Sequence, residues 1–172
     1  MTDKPKTTTF FNDQDIISVG PEVLWKLRQA ARNDPLGRAR LCLHHHADDA
    51  VHEMVIAFHK DSYIPPHRHT NKTESFHLIE GELLVVFFDD EGRETSRLRL
   101  AEPENNSFFL YRLAVCRWHM LIPLSDWVII HETTPGPFRP AETELAPWAP
   151  TEEQAESAQS FVANLLSRKS AG

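Results

Sequence analysis

Ten histidines in a chain of 172 residues are the first place to look for chemistry. In Ile64-Pro65-Pro66-His67-Arg68-His69 two of them stand two residues apart behind a pair of prolines. The prolines favour extended backbone, and on a strand residues i and i+2 share one face, ~6.6 Å apart along the axis. Imidazoles so placed converge on one ion at ~2.1 Å, whereas on a helix the same spacing would splay them. Residues 70–73 then turn the chain, and Glu74 opens the next segment with a carboxylate oxygen. Gly81 follows at a bend before the apolar run Leu83–Phe88. A fourth ligand must come from elsewhere. His119, in Cys116-Arg117-Trp118-His119-Met120-Leu121, is the best candidate, set among bulky residues that exclude water. Three nitrogens and one oxygen suit a single divalent ion: Zn(II), Fe(II), Mn(II) or Ni(II).

The remaining polar residues divide less sharply. His44-His45-His46 looks like a metal tract, but successive strand residues alternate faces and cannot all meet one ion, so it reads as solvated surface. His77, three after Glu74, faces away from the ion on a strand. His52, His131 and Tyr111 are the candidates for moving a proton in a cavity. Tyr63, Arg112 and Lys72 are the candidates for touching a substrate, with barrel wall, rim or solvated surface as the alternative.

These side chains need a β scaffold, and the pattern supplies one. Residues 21–33 read as a helix, with Pro21 at its first position, Leu24, Leu27 and Ala31 on one face, and Asn33-Asp34-Pro35 as the stop. The first dozen residues are polar and read as loose. A barrel core over 38–134 follows, in short strand-like segments: 40–45, 52–58, 74–80, 82–88, 95–100, 108–113, 118–122 and 127–133. Asp89-Asp90-Glu91-Gly92 is a hairpin connection. Short strands with no long helix between them predict a mainly β antiparallel sandwich or barrel, a jelly roll, with short N-terminal and C-terminal helices. Residues 135–150 carry five of the twelve prolines together with Phe138 and Trp148, and read as a strap across the barrel. Residues 151–168 read as a second helix, opened by a Thr151–Gln154 capping pair. Its apolar face of Ala155, Ala158, Phe161, Val162, Leu165 and Leu166 is expected on the barrel. The whole, 1–172, reads as one domain.

Composition sets outer bounds. Hydrophobic residues at 41% and charged residues at 25% are ordinary for a globular chain. A net charge of −7 argues against nucleic acid as a partner, because backbone binding needs clustered cations. No apolar leader and no ~20-residue apolar run are visible, so no membrane partner and a cytoplasmic location are expected. Cys42 and Cys116 read as two buried, reduced thiols.

The spacing His67-x-His69-x4-Glu74-x6-Gly81 resembles the first metal motif of the cupin superfamily, and His119 resembles the lone histidine of the second. The stretches RLCLH, YIPPHRHTNKTESFHLIEGEL, LVVFFDDEG, YRL, WHMLI, HETTPGPF and WAP, about 110 residues from Arg40 to Pro150, look like the WbuC-type cupin-fold metalloproteins. Asp61 stands where the first motif often has glycine. Ala114, Cys116 and Pro123 stand where the second often has proline, glycine and asparagine. The resemblance implies a cupin barrel (a double-stranded β-helix) of two antiparallel sheets, a metal between them, and a setting in O-antigen and other surface polysaccharides. Pairing through an edge strand, a homodimer, is expected, with the terminal helix as the alternative cover for that edge.

Three functions stay open at this point. One is a metal-dependent isomerase, epimerase or lyase acting on a small sugar-like substrate. Another is a non-enzymatic binding or regulatory module whose ion is structural. The third is an Fe(II)-dependent dioxygenase.

Overall fold

The computed structural model describes residues 7–103 and 107–168. The first six residues, half of the stretch expected to be loose, lie outside them. In the other half, β1 (Thr8–Phe11) is a strand and not a loose segment. It pairs in parallel with β2 (Arg38–Cys42), because Asp34 Oδ2 accepts both the backbone N–H and the hydroxyl of Thr8 at 2.8 Å.

Ten further elements complete the barrel and its covers. They are α1 (Pro21–Asn33), β3 (Val51–His59), β4 (His67–His69), β5 (Glu74–Glu80), β6 (Leu83–Phe88), β7 (Glu94–Leu100), β8 (Leu110–Leu113), β9 (Trp118–Pro123), β10 (Trp127–Pro135) and β11 (Thr143–Leu145). The chain then closes with α2 (Ala155–Ser167). The strands form a six-stranded sheet, β1-β2-β3-β10-β5-β8, facing a five-stranded sheet, β11-β4-β9-β6-β7. Every named pairing except β1–β2 is antiparallel.

Two-residue periodicity sorts the side chains into layers. From the six-stranded sheet, Met54, Ile56, Phe76 and Ile130 point inward to meet Leu83, Val85 and Leu121 of the other sheet. Val55, Ala57 and Ile129 point outward, under Leu27 and Ala31 of α1. Leu84, Val86, Trp118 and Met120 point out of the five-stranded sheet and are covered by Leu165 and Phe161 of α2 and by Trp148. Both faces of the central strands are therefore buried. That is why β3, β6, β9 and β10 read as near-continuous apolar runs rather than as alternating patterns. No helix among the described residues is long and apolar enough to cross a membrane.

Several expected boundaries move. The segment expected over 40–45 is β2 at Arg38–Cys42, which leaves His44, His45 and His46 in the loop before β3. The terminal helix begins at Ala155, four residues later than expected. The Thr151 N–H donates to Gln154 Oε1 at 2.9 Å and the Gln154 N–H donates to the Thr151 carbonyl at 3.1 Å. The capping pair is thus spent on a turn ahead of the helix. On the helix itself Ala158 and Leu165 are buried, while Ala155 and Leu166 are exposed, so the buried stripe is narrower than the apolar one. The helix packs on a sheet face, not on a sheet edge. Of the two thiols, Cys42 is buried but Cys116 is exposed, since it lies in the turn before β9.

The stretch 135–150 is partly structured. Its β11 pairs with β4, and Trp148 packs on Phe88 and Trp118 at ring separations of 5.1 and 6.1 Å. Gly92 has φ 80°, and a Cβ there would meet the Trp148 ring at 2.7 Å, so the β6–β7 hairpin must be glycine under this ring. Phe138, by contrast, is 54% exposed.

Candidate metal centre

Three short-range facts place the histidines. In β4, Arg68 points out of the barrel, stacked 4.3 Å over the Trp118 ring and paired with Glu144 and Asp90. Alternation then turns His67 and His69 inward. In register, His67 lies directly opposite His119 of β9, and Thr143 of β11 lies opposite His69. Glu74 begins β5 on the facing sheet, 4% exposed, with its carboxylate turned to the same point. Gly81, which ends the motif, has φ 85°, and a Cβ there would strike the Trp127 carbonyl at 2.1 Å. No other residue fits that bend.

The outer nitrogens decide what the inner ones can do. His67 Nδ1–H donates to the Pro65 carbonyl at 2.9 Å and His119 Nδ1–H to the Arg117 carbonyl at 3.0 Å. His69 Nδ1 sits 3.0 Å from Thr143 Oγ1, within hydrogen-bond distance. With its Nδ1 committed, each ring in its neutral form presents an Nε2 lone pair, the state a metal ligand requires. One ligand nitrogen from each of His67, His69 and His119 lies within 4.8 Å of the others. Three atoms bound to one ion at about 2.1 Å stand about 3–4 Å apart, so the set is grouped closely enough to converge on one ion with a small inward adjustment.

Glu74 Oε1 lies 2.8 Å from His119 Nε2, and Oε2 lies 3.4 Å from His69 Nε2. Yet Glu74 Oε1 and His119 Nε2 are both fully buried without a properly oriented hydrogen-bond partner. Buried polar atoms left in this state need an explanation, and a cation shared between them supplies it. The residues fit one divalent ion. Burial, then the neighbouring His119, holds His67 neutral, with its pKa lowered to about 3. Burial opposes charge on His119 and on Glu74, but their mutual attraction outweighs it. It raises the imidazole and holds the carboxyl far below the usual range.

A cavity of about 720 Å³ opens beside these ligands, within the barrel mouth. Of the remaining candidates, His52 and Lys72 line it. His52 is 3% exposed and stacks on His44 at 4.0 Å, so His44 belongs to the cavity wall and not to solvated surface. The other candidates are elsewhere. His131 faces outward and lies 3.5 Å from Glu53. Arg112 is exposed on the edge strand β8. Tyr63 donates its O–H to the Pro150 carbonyl at 2.8 Å and borders a separate cavity of about 550 Å³ between the helices. Tyr111 packs edge-on against Phe76 and Phe87, with its hydroxyl buried and unpartnered. Burial and then Glu74 push its pKa well above 10, so it keeps its proton. His77 is exposed against Phe109.

Two cavity residues were not expected. Glu132, beside His131, takes the inward phase of β10. Burial, then the charge of Glu74, pushes its carboxyl up to about 7. Arg40 of β2 points in as well. Apolar residues occupy both parities of β10, so its pattern did not mark Glu132 as a cavity residue.

The facing antiparallel sheets, with the ligands carried inward between them on β4, β5 and β9, settle the architecture. The fold is a cupin barrel.

A family model described as a domain of unknown function (DUF6016) matches residues 19–100. It takes in His67, His69 and Glu74 and stops before His119. No curated protein matches the chain. Among solved structures, protein SO0799 from Shewanella oneidensis is 11% identical, with TM-score 0.51, over 69% of this chain and 74% of that one. The capsular polysaccharide assembling protein CapF from Staphylococcus aureus is 15% identical, with TM-score 0.50, over 63% of this chain. This chain spans about a third of CapF, 31% of its length.

Proposed function

We propose that this cupin is a metal-dependent enzyme of isomerase, epimerase or lyase type, acting on a small sugar-like substrate. The observation that carries the reading is the meeting of His67, His69, His119 and Glu74, three of which, His67, His69 and Glu74, line an open cavity. A purely structural ion needs no cavity beside it, whereas a catalytic one needs access. A divalent ion bound there would supply Lewis-acid polarisation of a substrate carbonyl or hydroxyl.

The chain's own residues do the rest. His67, His69, His119 and Glu74 hold the ion, and their Nδ1 partners fix ring orientation. Glu132 is the cavity group suited to take and return a proton near neutral pH, because its pKa lies close to the working range. His52, with its pKa lowered by burial and by His44, offers a neutral imidazole on the same wall. The apolar inner face, with Met54, Ile56 and Phe76, limits bulk water around them.

The WbuC-type resemblance supports a substrate from O-antigen and related surface polysaccharide metabolism. CapF, which shares the fold, is a capsular polysaccharide assembling protein. The edge strand β8, with Leu110 51% and neighbouring Phe108 63% exposed, is the proposed contact of a homodimer.

The test is elemental analysis of natively purified protein, then turnover assays against nucleotide-sugars with the metal-loaded chain. One equivalent of Zn, Fe, Mn or Ni, and turnover abolished by His119→Ala, is the expected result. Turnover indifferent to that substitution sinks the reading. A bound metal with no turnover points to the binding module, and oxygen consumption with Fe(II) but not Zn(II) points to a dioxygenase.

A further inference from the structure

Two arginines point into the barrel from β2, two residues apart, and their surroundings differ. Arg38 is fully engaged: it pairs with Glu152, its Nε donates to Thr7 Oγ1 at 2.8 Å, and it donates to the Tyr63 carbonyl at 3.2 Å. Arg40 has no such set. Its Nε is buried without a hydrogen-bond partner, and its nearest recorded neighbour is Met54 Sδ at 4.0 Å from a terminal nitrogen. Among the described residues it makes no ion pair. Glu132, the carboxyl on the same wall with β3 between its strand and β2, feels the charge of Arg40 but makes no ion pair with it. Lys72 adds a second cation at the cavity wall. Its ammonium lies 5.5 Å from the Phe138 ring and has no ion-pair partner among the described residues.

An unpaired guanidinium in a cavity walled by Ile56, Phe58, Phe76 and Leu121 is expensive to keep. A chain of net charge −7 has carboxylates in plenty with which to neutralise it. Leaving it free makes physical sense when a ligand supplies the anion. A single guanidinium fork matches the two oxygens of a carboxylate. A phosphate is more often cradled by several backbone N–H groups at a helix start or nest, and both helices here pack on the outer faces of the sheets.

We propose that Arg40 binds the carboxylate of a hydroxylated organic acid, a sugar acid, whose hydroxyl-bearing end then reaches the His67–His69–His119–Glu74 cluster. The assignment narrows the substrate class and rests on the reading of that cluster as a metal-dependent active site.

The test is isothermal calorimetry with gluconate and with sorbitol, which differ in a terminal carboxylate against a hydroxymethyl group, with metal content measured in parallel. Gluconate is expected to bind and sorbitol not. Arg40→Met is expected to weaken gluconate about 10- to 100-fold at unchanged metal content, the size of a charge-assisted hydrogen-bond pair. Arg40→Lys, which keeps the charge, is expected to recover part of that loss. Equal binding of sorbitol overturns the proposal, as does Arg40→Met binding gluconate like the unaltered protein. Inorganic phosphate binding more tightly than gluconate to the unaltered protein overturns the carboxylate assignment, whether or not the variants fold. Failure of the metal reading is seen separately. Metal-free His119→Ala that still binds gluconate through Arg40 keeps the acid site and sinks the metal-assisted role.

Discussion

Two parts of the inner cavity wall are built on opposite terms. At the metal end, each imidazole is held from behind by a carbonyl or hydroxyl, so its tautomer and direction are set before any ligand arrives. Elsewhere on the cavity wall, Arg40 Nε and His52 Nε2 are buried with no hydrogen-bond partner among the described residues. The first arrangement fixes its groups from within the chain. The second leaves polar atoms unpaired. A site that has organised one half and left the other unsatisfied is what a resident ion and a transient substrate would each require.

The comparison breaks most visibly if one ligand is removed. His119→Ala or Glu74→Ala is expected to weaken metal binding by more than the roughly 100-fold that losing a ligand's supporting hydrogen bond costs at most. Chelator competition measures it. The same loss should appear as stability. Metal at about 100 times its Kd stabilises the fold by about 2.7 kcal/mol, worth about 5–10 °C in Tm at this chain length. The ligand variants should show no metal-induced rise in a thermal melt, and a normal rise in them would mean that the ion binds elsewhere.

A gentler break leaves all four ligands in place. Thr143→Val removes the oxygen facing His69 Nδ1 and leaves the side-chain volume nearly unchanged. Metal affinity should fall about 10- to 100-fold, while β11 still pairs with β4 through its backbone. An unchanged affinity would show that the strap does not orient His69.

How much of this was readable in advance depends on how locally each position is determined. His67, His69 and Glu74 were legible because a three-residue strand, a turn and a strand start lie within eight consecutive positions, and period-two geometry does the rest. His119 came from a resemblance, because only the sheet pairing of β4 with β9 puts it opposite His67. Glu132 and His131 could not be sorted by pattern. Both faces of β10 are buried, so apolar residues occupy both parities, and nothing in the strand says which side is the cavity. Thr143 was hidden for another reason: a proline-rich stretch gave no hint that three of its residues would join a sheet.

Glu132 sharpens the contrast through pH. Its pKa is raised in the fold, from 4.5 to about 7. A raised pKa favours the fold below the unfolded value, and that contribution is lost as pH rises through the folded one. In metal-free protein, stability should therefore decline between about pH 4.5 and 7 for this group. Glu132→Gln should remove that slope, leaving the variant on the order of 2 kcal/mol more stable at pH 8 once the water in the open cavity is allowed for. Urea titrations at pH 5 and pH 8 read the difference. Equal slopes in both proteins would place Glu132 in solvent and end its role as the proton carrier.

The smallest expected effect tests the second cavity against the first. Tyr63 was a substrate candidate, but its O–H reaches the Pro150 carbonyl and its ring packs on the α2 side of the barrel. Its pKa, raised to about 12 by burial and then Glu152, keeps the phenol a donor. Tyr63→Phe deletes that donor and little else, so it should cost about 1 kcal/mol of stability. Metal content and gluconate binding should stay at their original values, because neither wall of the larger cavity is touched. If Tyr63→Phe weakened gluconate as much as Arg40→Met does, the two cavities would have to be one continuous site, and the division between an organised metal end and an open acid end would lose its boundary.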